Sequence, residues 1–503
     1  MKRTLNIFKI AIAGAVLINM SACSKALDRL ADMNKPTTNP TSASSETLLT
    51  QSEFSGIMLE QGSFAYDGDG DGFLGIFNQH QAGNHAQGVD FNGYVLTHGS
   101  FSFLFNDAYV SSLMNLKLLI ENAKSNEVAY VGIAQILQAY QLGYLTSVYG
   151  DIPWTQALQP LTFPHAQYDA QTDIYAVVQK LLTSGVQNLK VGVDNEVNGD
   201  IIFGGDLDKW AATAYLLKAR FYNHFSKKDP GGSATSALLY VDSALNAGFA
   251  ANEDAYDFTL PYDGLTGYTT NPWVGQYQNG MLCANTVFLD SMKAQDDPRI
   301  NAYWSSIDGV TGNDVYGIGK SIDQVVASGD HMTIGTDPFN YFGNANSPVL
   351  LATYYELRMI EAEAALRAGD ASRAATAHNA GIAAQINLML SLPASKASDK
   401  AKVAPYLAIY ASETAGTITL EKIMTEKHKL MFTLEAESWM DVRRMDYKYP
   451  SWLQIPVKDA SKPSPVPVAS QFIQRLLYPQ SELDRNAANV PNTTIFDKLP
   501  ILQ

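Results

Sequence analysis

The sequence predicts a mainly α fold: a degenerate tetratricopeptide-like solenoid of helical pairs with a loop-rich, irregular ligand-binding region. Three observations lead there. Residues 207–226 and 234–248 alternate bulky and small side chains at helical spacing (Trp210, Ala214, Leu217, Ala219, Phe221; then Ala237, Tyr240, Ala244, Leu245), which lets two helices pack closely. A comparable pair covers 350–369 and 371–390, with Leu351, Tyr354, Met359, Ala362, Ala365 and Leu366 apolar. Between the two, residues 249–349 lose their period and fill with glycine, proline and rings such as Tyr256, Tyr262, Tyr268, Trp273 and Tyr277. A long aperiodic insertion in a helical protein is usually functional.

At the N-terminus, Lys2, Arg3 and Lys9 precede an apolar run over 10–20 that is too short to span a bilayer. It ends in Met20-Ser21-Ala22-Cys23, which resembles a bacterial lipobox, so residues 1–22 are expected to be a lipoprotein signal peptide. Cys23 is then the lipid anchor, holding the protein at a membrane without a transmembrane helix. Residues 23–45, rich in Ser, Thr and Pro, read as a tether. A single domain follows over 46–503, with helical pairs at about 104–248 and 350–447 and the insertion at about 249–349.

Within that domain a first helix is expected from about 45 to 62. Asp67, Asp69 and Asp71 then alternate with glycine like the opening of a calcium loop, although the twelfth position is Asn78 where a bidentate Glu is usual. Calcium is a candidate ligand there, against a plain glycine-rich turn. Residues 77–94 are dense in amides, His and rings, the groups that bind sugar hydroxyls and faces. His80 and His85 do not have the spacing of a helical zinc pair. Helices are predicted over 104–123, 128–148 and 172–189, the second stopped by Gly150 and Pro153. The stretch 417–444 reads as one helix, with Thr419 as its cap and Ile423, Met424, Leu430, Met431 and Leu434 on its apolar face. Its Glu, Lys and Arg read as a solvated outer face.

Net charge is −15, and −18 once the three basic residues of 1–22 are removed, with no basic block. Nucleic acid is therefore a poor partner. Two cysteines cannot form a disulfide framework, and Cys283 reads as a buried small hydrophobe. No H-E-x-x-H, G-x-S-x-G or Walker loop occurs, which leaves a surface glycoside hydrolase as a weak alternative.

The order of residues in 423–444 is distinctive. Ile423-x-x-Glu426-Lys427, then Leu434-Glu435-Ala436-Glu437-Ser438-Trp439-x-Asp441-x-Arg443-Arg444, resembles the late signature of SusD/RagB-type outer-membrane nutrient-binding lipoproteins. Ser438 and Ala436 stand where that family commonly has Arg and Gly. Tyr149-Gly150-Asp151-Ile152-Pro153, Asp297-Pro298-Arg299, the Glu361-Ala362-Glu363 stretch and Arg475-x-x-Tyr478-Pro479-x-x-Glu482-x-x-x-Asn486 resemble further family strings in the same order. The resemblance implies a lipid-anchored binding protein on the outer membrane of a Gram-negative, Bacteroidetes-like cell. It would capture an oligosaccharide, or a peptide in some members, for a SusC-like TonB-dependent transporter. Tyr66, Phe77, Asn84, Trp273 and Tyr277 are the candidate ligand-binding residues, the rings to stack on sugar faces and the amide to bond hydroxyls.

Overall fold

The computed structural model describes residues 43–60, 70–83, 87–249, 254–265, 270–274, 281–306, 332–456 and 470–503. Every described helix and strand belongs to one compact unit, Ser45–Gln503. After α1 (Ser45–Glu60) and the short α2 (Asp71–Phe77) come α3 (Met114–Asn122), α4 (Val128–Tyr149), α5 (Gln171–Val191), α6 (Leu207–Asn223) and α7 (Pro230–Ala244). Then follow α8 (Thr286–Ala294), α9 (Tyr354–Arg367), α10 (Ala371–Met389), α11 (Ala397–Tyr410), α12 (Leu420–Leu430) and α13 (Glu435–Arg444).

The longer helices form a relay of neighbours. Helix α3 packs on α1 and α4, α4 on α5, α5 on α6, α6 on α7, α7 on α9 and α9 on α10, with α12 closing against α9 and α10. This is the expected solenoid of helical pairs. Helix α4 is buried on nearly every side, which explains why its sequence is apolar all round instead of striped. It meets α5 where two glycines face each other. A Cβ on Gly132 would lie 3.0 Å from the Gly185 carbonyl oxygen, and one on Gly185 3.0 Å from that of Gly132.

Local capping sets several helix starts. Asp206 accepts from the Asp208 and Lys209 amides at the head of α6, and Thr419 accepts from Lys422 at the head of α12. Asp229 caps α7, with Pro230 in its first turn.

Two expected helices are interrupted. The 104–123 segment contains a π-helical turn (Ala108–Leu113) in which Tyr109 donates to the Pro153 carbonyl at 2.6 Å. The 417–444 segment breaks between α12 and α13, where Thr433 adopts φ 71° and its amide bonds Glu435 Oε1 at 3.1 Å.

The described residues of the insertion at 249–349 hold short strands that its aperiodic sequence does not announce. Antiparallel ladders pair β1 (Gln81–Gly83), β2 (Ile152–Pro153), β3 (Tyr168–Asp169), β4 (Phe258–Leu260), β5 (Leu282–Ala284), β6 (Ser305–Ser306), β7 (Met332–Thr333) and β8 (Val349–Ala352) as β1–β5, β2–β3, β4–β8 and β6–β7. In the first ladder Ala82 faces Cys283, which is buried as expected.

Candidate functional site

Apart from exposed Glu421 and Lys422, the charges of 417–444 do not form a solvated face, and the expectation that they would is corrected by the structure. Glu426, Lys427, Lys429, Glu435, Glu437, Asp441, Arg443 and Arg444 are all buried. Hydrophobic periodicity cannot see them, because most are buried by pairing with one another and with charges brought from distant segments, while Arg443 bonds the Ser147 and Gln474 carbonyls and Glu435 bonds Asn78 and His80.

Three clusters result. Arg220 of α6 makes a bidentate pair with Glu356, both bonds 2.6 Å, and lies 3.8 Å from Glu437, which also accepts from His224 Nε2 at 2.8 Å. Glu363 of α9 binds Arg444, which in turn holds Asp441 at 2.6 Å, while Lys427 lies 2.9 Å from Asp441. Arg299 joins Asp297 at 2.6 Å and Glu426 at 3.2 Å, with Lys429 on Glu426 at 2.5 Å. Burial raises the cost of these carboxylates' charge, yet the adjacent cations win. Glu437 is held down at about 2, and Glu363, Asp297 and Glu426 are all depressed.

The tail closes on the turn after α4 by the same logic. Tyr478 OH donates to the Asp151 carbonyl at 2.8 Å, Arg475 bonds the Tyr149 carbonyl, and Tyr168 OH donates to Glu482 Oε2 at 3.0 Å. Asn486 Nδ2 donates to the Ala166 carbonyl at 2.8 Å.

On the loop side, the ladder β1–β5 is tied to α12 and α13 by a buried polar chain. His80 Nδ1 lies 2.5 Å from Glu435 Oε2, which also accepts from Asn78 Nδ2 at 2.6 Å. His80 Nε2 donates to the His428 carbonyl at 2.7 Å, so in the neutral ring Nδ1 is an acceptor and Glu435 carries the proton. Desolvation agrees with this assignment, pushing Glu435 up to about 8 and His80 down to about 3. Both side chains are fully buried and out of reach of a substrate.

Of the sequence-predicted site residues, Asp71, Phe77 and Trp273 lie among the described residues. Trp273 is 1% exposed and Phe77 fully buried, the latter packed at 5.3 Å from Trp439. Neither ring offers a face to a ligand, because an apolar ring is better buried in the core than held in solvent. Asp71 is the first residue of α2, while Tyr66, Asp67, Asp69, Asn84 and Tyr277 lie outside the described residues, as does Cys23. Among the described residues no group of three or more His, Cys, Asp or Glu is placed to hold a metal ion.

Sequence reasoning missed Trp452. It is half-buried, nearly parallel to Phe288 at 6.4 Å, and its Nε1–H has no acceptor among the described residues. The neighbouring His428 ring, 5.9 Å away, donates through Nε2 to the Asn78 carbonyl at 2.9 Å and leaves Nδ1 without a donor. Both atoms are buried, so the adjacent rings leave an unspent donor and an unspent acceptor inside the fold. The only sequence signal for Trp452 was an aromatic residue in an aperiodic stretch just after a helix.

No curated protein matches the sequence. Solved structures do. A chitin-binding protein superposes with TM-score 0.69 at 22% identity, covering 88% of this chain and 95% of that one. A SusD/RagB family protein of Bacteroides thetaiotaomicron superposes with TM-score 0.70 at 20% identity, covering 92% and 99%. A chitin-binding SusD homologue of Flavobacterium johnsoniae superposes with TM-score 0.65 at 19% identity, covering 88% and 92%. Among the described residues no helix is long and apolar enough to cross a membrane. Residues 39–479 match the model of a family of outer-membrane-associated binding proteins, and the chain belongs to it: the SusD-like family, described as starch-binding and associating with the outer membrane.

Proposed function

We propose that this protein is a lipid-anchored cell-surface receptor that captures a neutral oligosaccharide and delivers it to a SusC-like TonB-dependent transporter in the outer membrane. The family match over residues 39–479 carries the reading. Two of the structural neighbours bear chitin-binding names, which favours a glycan over a peptide. A net charge of −15 disfavours anionic ligands. Glu426, Glu437 and Asp441 of α12 and α13 are buried in ion pairs, where they build the fold and cannot exchange protons with a bound sugar. Half-buried Trp452 supplies a ring on the loop side. Cys23 carries the lipid.

Calorimetry of the chain lacking residues 1–23, against chito-oligosaccharides, malto-oligosaccharides and neutral peptides with and without calcium, tests this. Saturable binding to one oligosaccharide class with no released product is the expected result. Binding to peptides alone would overturn the glycan reading, and released sugar would overturn the non-catalytic one. In cells, labelled palmitate should enter the wild-type protein and not Cys23→Ala.

A further inference from the structure

A cleft of about 520 Å³ opens between α5, the C-terminal end of α6 and the first turns of α7. None of its lining residues belongs to the loop side. Buried Tyr175 and Phe221 form part of its wall, with half-buried Tyr222 and Gln179 and exposed Asp229 alongside. Its volume falls within the ordinary range for small-molecule sites, roughly 300–1,000 Å³.

Two features suit it to a ligand. The first is a fixed ring. Tyr222 lies parallel to Tyr240, 3° between planes at 5.5 Å, and the Lys218 ammonium sits 4.5 Å from the Tyr240 ring centre. Lys218 is itself tied to the Gln179 carbonyl at 3.2 Å and Thr183 Oγ1 at 2.7 Å. A ring held in this way loses little freedom when something stacks on it.

The second is an unfinished amide. Gln179 Nε2 donates to the Lys218 carbonyl at 3.3 Å, and since a carbonyl only accepts, the orientation of the side chain follows. Its Oε1 is buried without a donor among the described residues. An acceptor left in that state has lost its hydration without compensation, which a ligand O–H would restore. No lysine or arginine lines the cleft, so an anion finds no counter-charge there.

We propose that this cleft is a second carbohydrate site, seating one neutral sugar ring on Tyr222 with a hydroxyl donating to Gln179 Oε1. The proposal rests on the glycan reading above but on a separate set of residues. Two sites on one chain would favour long glycans over short ones by avidity.

The test titrates the chain lacking residues 1–23 with maltose and with N,N′-diacetylchitobiose, by calorimetry and saturation-transfer NMR. Wild type is compared with Tyr222→Ala, Gln179→Leu and Ala176→Trp. The last fills the cleft from an exposed position on α5 and leaves its packed wall untouched, and thermal melting verifies that each variant is folded. For at least one probe, wild type should show two sites per chain, and each variant should lose at least tenfold at one of them and nothing at the other. Equal binding in all four proteins would overturn the second site while leaving the glycan reading intact. No sugar bound by any of them would overturn both. Cleft-dependent binding of the neutral peptide Gly-Tyr-Gly, with sugars indifferent to the three substitutions, would make the cleft a peptide site and also overturn the proposal.

Discussion

Glu363→Gln tests the buried charge clusters at their centre. The side chain is fully buried, binds Arg444, accepts from Asn223 Nδ2 at 3.0 Å, and lies 3.4 Å from Arg367 Nε and 3.9 Å from Lys427 Nζ. The substitution keeps the shape and removes one negative charge. Arg444 and Lys427, both buried, then have Asp441 as their nearest carboxylate. Breaking one partner of a buried pair costs about 3–5 kcal/mol, because the charge left behind is desolvated and uncompensated. A domain of roughly 460 residues has an unfolding entropy near 1 kcal/mol/K at about 2.1 cal/mol/K per residue. The expected fall in Tm is therefore about 4 °C by scanning calorimetry at pH 7. Glu121→Gln, which breaks the exposed Lys117–Glu121 pair, should move Tm by less than about 1 °C. Since Glu363 is depressed in the fold, its contribution is fully present above the ordinary carboxylate range and is lost as pH falls, so the gap between wild type and Glu363→Gln should narrow in acid. A variant that melts with wild type at pH 7 would show that Glu363 stabilises nothing, and the account of 417–444 given above would fail.

The His80–Glu435 pair predicts a loss of stability on the alkaline side. Up to about pH 8 the folded pair holds one proton, whereas the unfolded chain releases its last near 6.5, when histidine titrates, so folded protein binds more protons in that window and weakens as pH rises. Glu435→Gln mimics the protonated acid. It should match wild type at pH 6 and gain on the order of 2 kcal/mol over it by pH 8.5 in urea unfolding; parallel curves would exclude a shared proton. Trp273→Ala should cost about 3–5 kcal/mol of stability, as core aromatic truncations do, without changing ligand preference once the protein is folded; loss of binding at unchanged stability would restore Trp273 as a contact residue. Thr419→Ala should cost about 1 kcal/mol by removing the cap of α12, read from the urea midpoint, and no shift would mean that burial alone starts the helix.

The parts of the fold that were legible in the sequence are those governed by local rules. The alternation of Trp210, Ala214 and Leu217 marked α6, and Thr419 marked the head of α12, because helical period and capping are written over a few residues. The break at Thr433 was not legible, since apolar spacing runs on to Leu434 and the turn is set by a side chain, Glu435, that is bonded to Asn78 more than 300 positions away. The ligand-binding residues were hardest. Trp273 and Tyr277 look alike in sequence, as rings in an aperiodic stretch, and only tertiary packing separates a core ring such as Trp273 from one that meets solvent. Trp452 had no pattern to announce it, and Gln179 reads as one polar position on an ordinary helix.

The strings that identify the family turn out to hold the solenoid together, which bears on how this fold tolerates sequence identities of 19–22% to its structural neighbours. Arg299 with Glu426, Glu363 with Arg444, and Arg475 and Tyr478 with the turn after Tyr149 each join segments far apart in the chain. A buried apolar contact can be exchanged for another of similar volume at small cost. A buried cation cannot, because losing one partner strands the other. Such pairs restrict which segments can meet, whatever their net effect on stability, and so fix the register of the closing helices against α6, α9 and the tail. Rings outside these pairs face no equivalent constraint: half-buried Trp452 and Tyr222 can each be replaced without stranding a charge, while the ionic interior keeps the solenoid the same.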